Sequence, residues 1–195
     1  MWNERYSQPG FAYGIEPNDF LREMAPRLPA GGVLSLGEGE GRNAVFLAQS
    51  GSRVTALDQS SIGLEKAARF AAERGVAIET VAANLAEYRI APSAWDAIIS
   101  IWCHLPRPLR RTVHANVVSG LRSGGAFLLE AYTPRQLQLG TGGPRDPEFL
   151  ATLVELKAEL AGLDFAVGRE LEREVHEGAH HNGKSAVVQL LAFKR

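Results

Sequence analysis

One cysteine in 195 residues, Cys103, leaves the chain unable to form an internal disulfide. Long apolar runs are also missing, so no segment reads as a membrane-spanning helix. The amino-terminal stretch lacks a basic segment followed by an apolar run, the mark of a secretory leader, and the cytoplasm is the expected compartment. Charge of one sign is scarce, with 21 Lys and Arg against 22 Asp and Glu and a formal net charge of −1. Such a balance offers no electrostatic footprint for nucleic acid, and large polyanions are disfavoured partners. No internal repeat is found. What the chain does contain, 45% hydrophobic and 22% charged residues, suits one α/β domain over residues 1–195 with a single substantial core.

Apolar runs alternate with amphipathic stretches along the chain, as in a layered α/β sheet. A polar and aromatic leader, 1–14, precedes a predicted helix over 18–28, with Asn18 or Asp19 near its cap. Strands are predicted over 33–37, 53–57, 76–81, 95–102 and 126–131. Between them fall helices over 42–50, from Ser60 or Ser61 to Gly75, and over 108–121, where Pro108 suits a first helical turn. A loop over 132–147, rich in Gly, Pro, Gln and Thr, is longer than a simple connection and reads as a lid or binding segment, the alternative being a flexible surface loop. A helix over 148–160 follows. The chain then finishes as a hairpin of strands over 165–175 and 186–193 with a long loop, 178–184.

The most informative segment is Val33-Leu34-Ser35-Leu36-Gly37-Glu38-Gly39-Glu40-Gly41-Arg42-Asn43, with Asp58 ending the next apolar run. An apolar strand entering a glycine-rich turn and then a helix lets backbone approach a ligand closely, because glycine lacks a Cβ. An ionised carboxylate at the end of the following strand offers acceptors only, and can take both hydroxyls of a ribose. The pattern reads as a nucleoside-cofactor pocket. A dinucleotide-binding fold also places an acid about twenty residues beyond its first glycine, and Asp58 fits both spacings. Arg42 decides between them: it occupies the position where the dinucleotide fingerprint requires its third small residue, while Gly41 falls one place earlier.

With the turn, Asp58 and the Ser123-Gly124-Gly125 run before the fifth strand, the chain resembles the class I S-adenosylmethionine-dependent methyltransferases over most of its length. The leader Trp2-Asn3-Glu4-Arg5-Tyr6 with Tyr13-Gly14, and the run Gly41-Arg42-Asn43-Ala44-Val45, are similar to the small bacterial tellurite-resistance and thiopurine methyltransferase group. The resemblance implies a Rossmann-like, doubly wound seven-stranded sheet of order 3-2-1-4-5-7-6 with an antiparallel carboxyl-terminal hairpin. Residues 1–30 would form a segment capping cofactor or substrate, and 31–195 the core. It further implies S-adenosyl-L-methionine as cofactor, with Gly37, Gly39 and Gly41 cradling its methionine portion and Asp58 holding the ribose. Arg42, Asn43, Gln59 and Ile101 complete the expected cofactor pocket.

The chain departs from the family pattern at two places. Ser35 stands where an acid usually precedes the first glycine, and Glu38 lies between the first two glycines. Glu38 could face the cofactor ammonium, or simply be exposed. Asn84 stands where an acid often receives the adenine amino group. It could do the same with the Leu85 amide, or be an ordinary turn asparagine.

Methyl transfer needs chiefly in-line positioning of a nucleophile, with a base only if the acceptor must lose a proton. His104, just beyond a strand's carboxyl end, is the candidate catalytic residue, as base or as orienting group; the alternative is a histidine hydrogen-bonded within its loop. The region Ile101-Trp102-Cys103-His104-Leu105-Pro106 lacks the Asn/Asp-Pro-Pro-aromatic signature of amino-methylating relatives. DNA adenine and glutamine acceptors are thereby disfavoured. Cys103 reads as a buried, inert thiol. Tyr13, Tyr132 and Gln136 are candidate acceptor contacts, and Arg5 could pair with the cofactor carboxylate or form a surface ion pair. His176, His180 and His181 have no recognisable ligand spacing, so no metal is expected, and they read as a solvated loop at the pocket rim. The expected reaction is methyl transfer to a small-molecule acceptor, with a thiol, a thiopurine and a chalcogen oxyanion as candidates. The rival is a regulatory protein that binds S-adenosylmethionine or S-adenosylhomocysteine without turnover.

Overall fold

The computed structural model describes residues 2–178 and 180–195. Met1, in the expected capping segment, and Ala179, in the expected hairpin loop, lie outside the described residues. Seven strands form one sheet in the order β3-β2-β1-β4-β5-β7-β6. These are β1 (Gly32–Leu36), β2 (Arg53–Asp58), β3 (Glu79–Ala82), β4 (Trp95–Ile101), β5 (Leu121–Tyr132), β6 (Leu163–Glu177) and β7 (His181–Lys194). β1 through β5 pair in parallel, while β7 runs antiparallel to β5 and β6.

The central strands are near-continuous apolar runs because both faces are covered. Alternation then sends Leu34, Ile98 and Phe127 to one face, and Val33, Ile99 and Leu128 to the other. The first face packs against α5 (Arg107–Gly120) and α6 (Leu153–Glu159), through Val113, Val117 and Leu156. The second packs against α2 (Asp19–Met24) and α3 (Arg42–Gln49), through Phe20, Leu21 and Leu47. Strand order reverses between β1 and β4, which opens a crevice at their carboxyl ends.

Several boundaries differ from the sequence expectations for identifiable reasons. The helix expected over 18–28 is α2 followed by a 3₁₀ turn, Ala25–Arg27. Pro26 has no N–H to continue the α-helical ladder. The leader contains an unexpected short helix, α1 (Trp2–Tyr6). Its residues lie along α4 (Ser61–Glu73): Ser60 donates to the Asn3 side chain at 2.6 Å, and the Lys66 ammonium donates to the carbonyls of Gln8 and Gly10. The helix expected over 148–160 is divided into a 3₁₀ turn, Pro147–Phe149, and α6. Thr152 and Glu155 start α6 as a reciprocal capping box, which fixes its first turn later than hydrophobicity alone suggests. The third strand begins at Glu79 instead of 76. The long hairpin loop expected over 178–184 is replaced by strand pairing that continues to Glu177 opposite His181.

Gly41 shows how tightly α3 meets α4. Its φ is +94°, and a Cβ there would lie 2.6 Å from the Ala67 Cβ. Gly41→Ala is expected to lower stability by about 1–3 kcal/mol through strain and overpacking, measured by denaturant unfolding. An unchanged midpoint would show that the two helices can separate at little cost.

Candidate functional site

β1 runs into a turn whose Gly37 and Gly39 hold φ of +63° and +67°. A side chain on Gly37 would strike the Cys103 sulfur at 2.8 Å, and one on Gly39 would strike the Tyr6 hydroxyl at 2.6 Å. Gly37 faces the crevice, whereas Gly39 and Gly41 pack against protein and do not line it. Cys103 is a half-buried thiol whose pKa desolvation pushes up to about 12, so it is held protonated beneath the turn.

Glu38 is buried, which removes the exposed alternative. Its Oε1 accepts from the N–H groups of Asn43 and Ala44 at 3.1 and 3.0 Å, and its Oε2 accepts from the Ser35 hydroxyl. The carboxylate thus caps the amino terminus of α3, where the helix dipole favours negative charge. Burial raises its pKa despite those donors. Asp58 plays a parallel part at the end of β2. It accepts from the Gly39 N–H at 2.9 Å and the Ser60 N–H at 2.8 Å, and burial raises its pKa as well. Lone pairs on both acids remain for a ligand.

Glu38 and Asp58 face a cavity of about 860 Å³ at the carboxyl ends of β1, β2 and β4. That size suits a bound small molecule. Gly37, Arg42, Asn43, Gln59, Asn84, Leu85 and Ile101 line it as well. Asn84 is exposed, and its Oδ1 accepts from the Ala86 N–H at 3.0 Å, so it is a turn asparagine that also borders the cavity. Arg42 spends its guanidinium on the Glu177 carboxylate and the Glu16 carbonyl. Arg5 reaches the Tyr13 hydroxyl at 2.5 Å and lies over the Trp2 ring.

At the far end of the cavity stand Tyr13, Trp102, His104, His180 and His181. Neither nitrogen of His104 has a hydrogen-bond partner, and both are shielded from solvent. Burial, then the neighbouring His181, hold its pKa down to about 3. Burial, then Arg42, hold that of His181 at about 3. Both imidazoles are therefore neutral at physiological pH. His181 is buried at the start of β7, not in a solvated loop, while the exposed His176 lies on β6 beside Asn182. Among the described residues, no group of three His, Cys, Asp or Glu is placed to hold a metal ion.

Tyr132 and Gln136 do not line the cavity. Tyr132 is a buried backing ring, stacked on Trp102 with centroids 4.5 Å apart. Gln136 is a buried clamp: its Nε2 donates to Thr141 and to the Gly142 carbonyl, and its Oε1 accepts from the Ala186 N–H. It ties the loop after β5 to β7.

Four residues that the sequence did not mark as site candidates complete the site. Tyr6 fills the space over Gly39, and Glu40 accepts from Lys66 and the Ala12 N–H. Trp102 and Glu177 are joined by an indole N–H hydrogen bond. Glu40, Tyr6 and Trp102 lie in motifs visible in the sequence, whereas their partners, Lys66, Gly39 and Glu177, are brought to them by packing.

A family model described as a methyltransferase domain matches residues 33–125. The fold is that of a class I methyltransferase. TehB from Haemophilus influenzae superposes with a TM-score of 0.76 at 21% identity, over 100% of this chain and 66% of that one. NodS, an N-methyltransferase from Bradyrhizobium japonicum WM9 in complex with S-adenosyl-L-homocysteine, gives 0.71 at 15% identity over 99% and 96%. A structure from work on converting a disulfide bond into a thioacetal group during echinomycin biosynthesis gives 0.78 at 18% over 98% and 87%. No curated protein matches the sequence. On this methyltransferase fold, the cavity occupies the crevice where the strand order reverses.

The depressed histidines make stability depend on pH. Unfolded, each binds a proton below its ordinary value of 6.5; folded, each stays neutral down to about 3. The unfolded state therefore binds more protons between those limits, and stability falls as pH drops through that window. Each histidine contributes at most about 1.4 kcal/mol per pH unit. His104→Phe, which keeps an aromatic ring, is expected to flatten the loss between pH 7 and pH 5 in urea titrations. An identical slope in both proteins would show that His104 is protonated in the folded state.

Proposed function

We propose that this protein is an S-adenosylmethionine-dependent methyltransferase acting on a small-molecule acceptor. One observation carries the reading. A single cavity joins the Gly37 turn and Asp58 at one end to a chamber of aromatic and imidazole rings at the other. A nucleoside cofactor and a second small molecule could thus lie side by side.

When bound, S-adenosylmethionine supplies a methyl group on an electrophilic sulfonium centre. Asp58 would take the ribose hydroxyls with the lone pairs left by Gly39 and Ser60, and Glu38 would face the ammonium. Gln59, Asn84, the Leu85 amide and Ile101 would border the adenosine. The S-adenosylhomocysteine complex of NodS supports this choice of cofactor. His104 would orient the acceptor as a neutral imidazole, or accept its proton after its ring turns toward the cavity. The likeness to TehB agrees with the tellurite-resistance and thiopurine group suggested by the leader and the Gly41-Arg42-Asn43 run. A non-catalytic binding protein is the competing reading, favoured by Ser35 in place of the usual acid. Release of S-adenosylhomocysteine with any member of an acceptor panel of thiols, thiopurines and chalcogen oxyanions would exclude it.

Calorimetric titration tests the cofactor assignment. S-Adenosylmethionine and S-adenosylhomocysteine are expected to bind and NAD to give no heat. Asp58→Asn keeps an oxygen for the turn and is expected to weaken binding by about 1.5–3 kcal/mol for each charged hydrogen bond lost. Turnover at saturating cofactor should largely recover, because those bonds act equally in ground and transition states. NAD binding without a response to S-adenosylhomocysteine would overturn the proposal.

A further inference from the structure

Three arginines line the cavity: Arg5 from the leader, Arg42 from the head of α3 and Arg145 from the loop after β5. Only Arg42 has an acid partner, Glu177. Arg5 donates to the Tyr13 hydroxyl and lies over the Trp2 ring, while Arg145 makes no hydrogen bond or ion pair among the described residues. The acids lining the same cavity are committed elsewhere. Glu40 is paired with Lys66, Glu38 and Asp58 accept from backbone N–H groups around the glycine turn, and Asp146 accepts from the Glu148 N–H at 2.9 Å.

The backbone that carries Arg145 is anchored on both sides. Gln136 donates to Thr141 and to the Gly142 carbonyl, and Gly143 lies so close to Tyr132 that a Cβ would fall 2.5 Å from its ring. Beyond Arg145, Asp146 caps the 3₁₀ turn, and the buried Arg110 donates to the Leu150 carbonyl at 2.8 Å. Pro144 and Pro147 restrict the chain further. An exposed cation on such a backbone is presented to a ligand with little ordering left to do.

Counting carboxylates separates the two free cations. S-Adenosylmethionine carries one carboxylate, which can satisfy one of them. Arg5, next in the chain to the Tyr6 that covers Gly39, stands beside the turn expected to hold the methionine portion. Arg145 is left over. Its loop meets the His180 carbonyl and the Tyr132 hydroxyl through Gly142, at the far end of the cavity. The wall there, formed by Trp102, His104, Leu105, Leu109 and Phe149, offers no charge, since His104 is neutral. An anionic group reaching that end would therefore find its counter-charge at Arg145. A guanidinium matches a carboxylate in both charge and fork geometry.

We propose that the acceptor carries a carboxylate, received by Arg145 at the cavity rim, and presents its nucleophile from the opposite end of the molecule. This rests on the methyltransferase reading above and specifies its substrate class. Arg145 is then a specificity-determining residue, and Gln136 positions the loop that bears it. A compact oxyanion, whose charge and reacting atom share one group, does not meet both demands.

The test measures binding to the protein saturated with S-adenosylhomocysteine, by calorimetry at pH 7. The probes are 6-mercaptohexanoate, 6-mercaptohexanol and 6-aminohexanethiol, which differ only in the group opposite the thiol, with tellurite as a compact oxyanion. The carboxylate is expected to bind about tenfold more tightly than the alcohol, and more tightly still than the ammonium or tellurite. That margin should shrink at high salt, because Arg145 is exposed. Arg145→Gln is expected to abolish the margin, Arg145→Lys to keep part of it, and Arg145→Glu to make the ammonium the preferred probe. Affinity for the alcohol and for S-adenosylhomocysteine should stay within about twofold in all three. Arg5→Gln is expected to weaken S-adenosylhomocysteine and leave the margin in place. Equal binding of carboxylate and alcohol, tighter binding of tellurite, or a margin that survives Arg145→Gln would overturn the inference. If S-adenosylhomocysteine binds and no probe does, only the acceptor assignment fails. If S-adenosylhomocysteine itself does not bind, the methyltransferase reading fails with it.

Discussion

The buried Glu177 carboxylate is the constraint on which the site depends. Three elements converge on it at the end of β6: Arg42 opens α3 after the glycine turn, Asn18 caps α2, and Trp102 follows β4. An ion buried this deeply is tolerated only when paired and hydrogen-bonded, and removing one partner from such a pair typically costs about 3–5 kcal/mol. The neighbouring Glu130 repeats the arrangement with Arg173, Gln189 and Asn18. Two carboxylates, satisfied together, tie the carboxyl-terminal hairpin to α2, α3 and the sheet.

The same economy of charge divides the cavity into unlike ends. Glu38 and Asp58 are buried and accept chiefly from backbone N–H groups, so part of their accepting capacity remains toward the cavity. At the other end His104 and His181 are neutral, Glu177 is spent on Arg42, and flat rings dominate. In the proposed methyl transfer the electrophile already carries its activation. Catalysis can then consist largely of alignment.

Covering segments come from three distant parts of the chain. Lys66 and Glu40 tie the leader to α4 and the glycine turn, Gln136 ties the loop after β5 to β7, and Gly178 lies so close to Ala12 and Tyr13 that a Cβ would clash. Loops held in this way can set specificity while the sheet beneath supplies rigidity.

The sequence by itself determined the sheet and its chemistry-bearing edge. Local apolar runs, glycine punctuation and the Gly37 to Asp58 spacing are short-range properties, and the observed strand order agrees with the one the family resemblance implies. Proline and capping effects shifted boundaries at Pro26 and Thr152 without changing the order of the core strands. Tertiary structure alone decided what each polar residue does. Glu38 became a helix cap, Gln136 a clamp, His181 a buried wall, and Arg42 half of an ion pair with a residue 135 positions away. The physical reason is that pairing of buried polar groups depends on which distant partner the fold delivers. Periodicity records which face a residue takes, and carries no record of the group opposite.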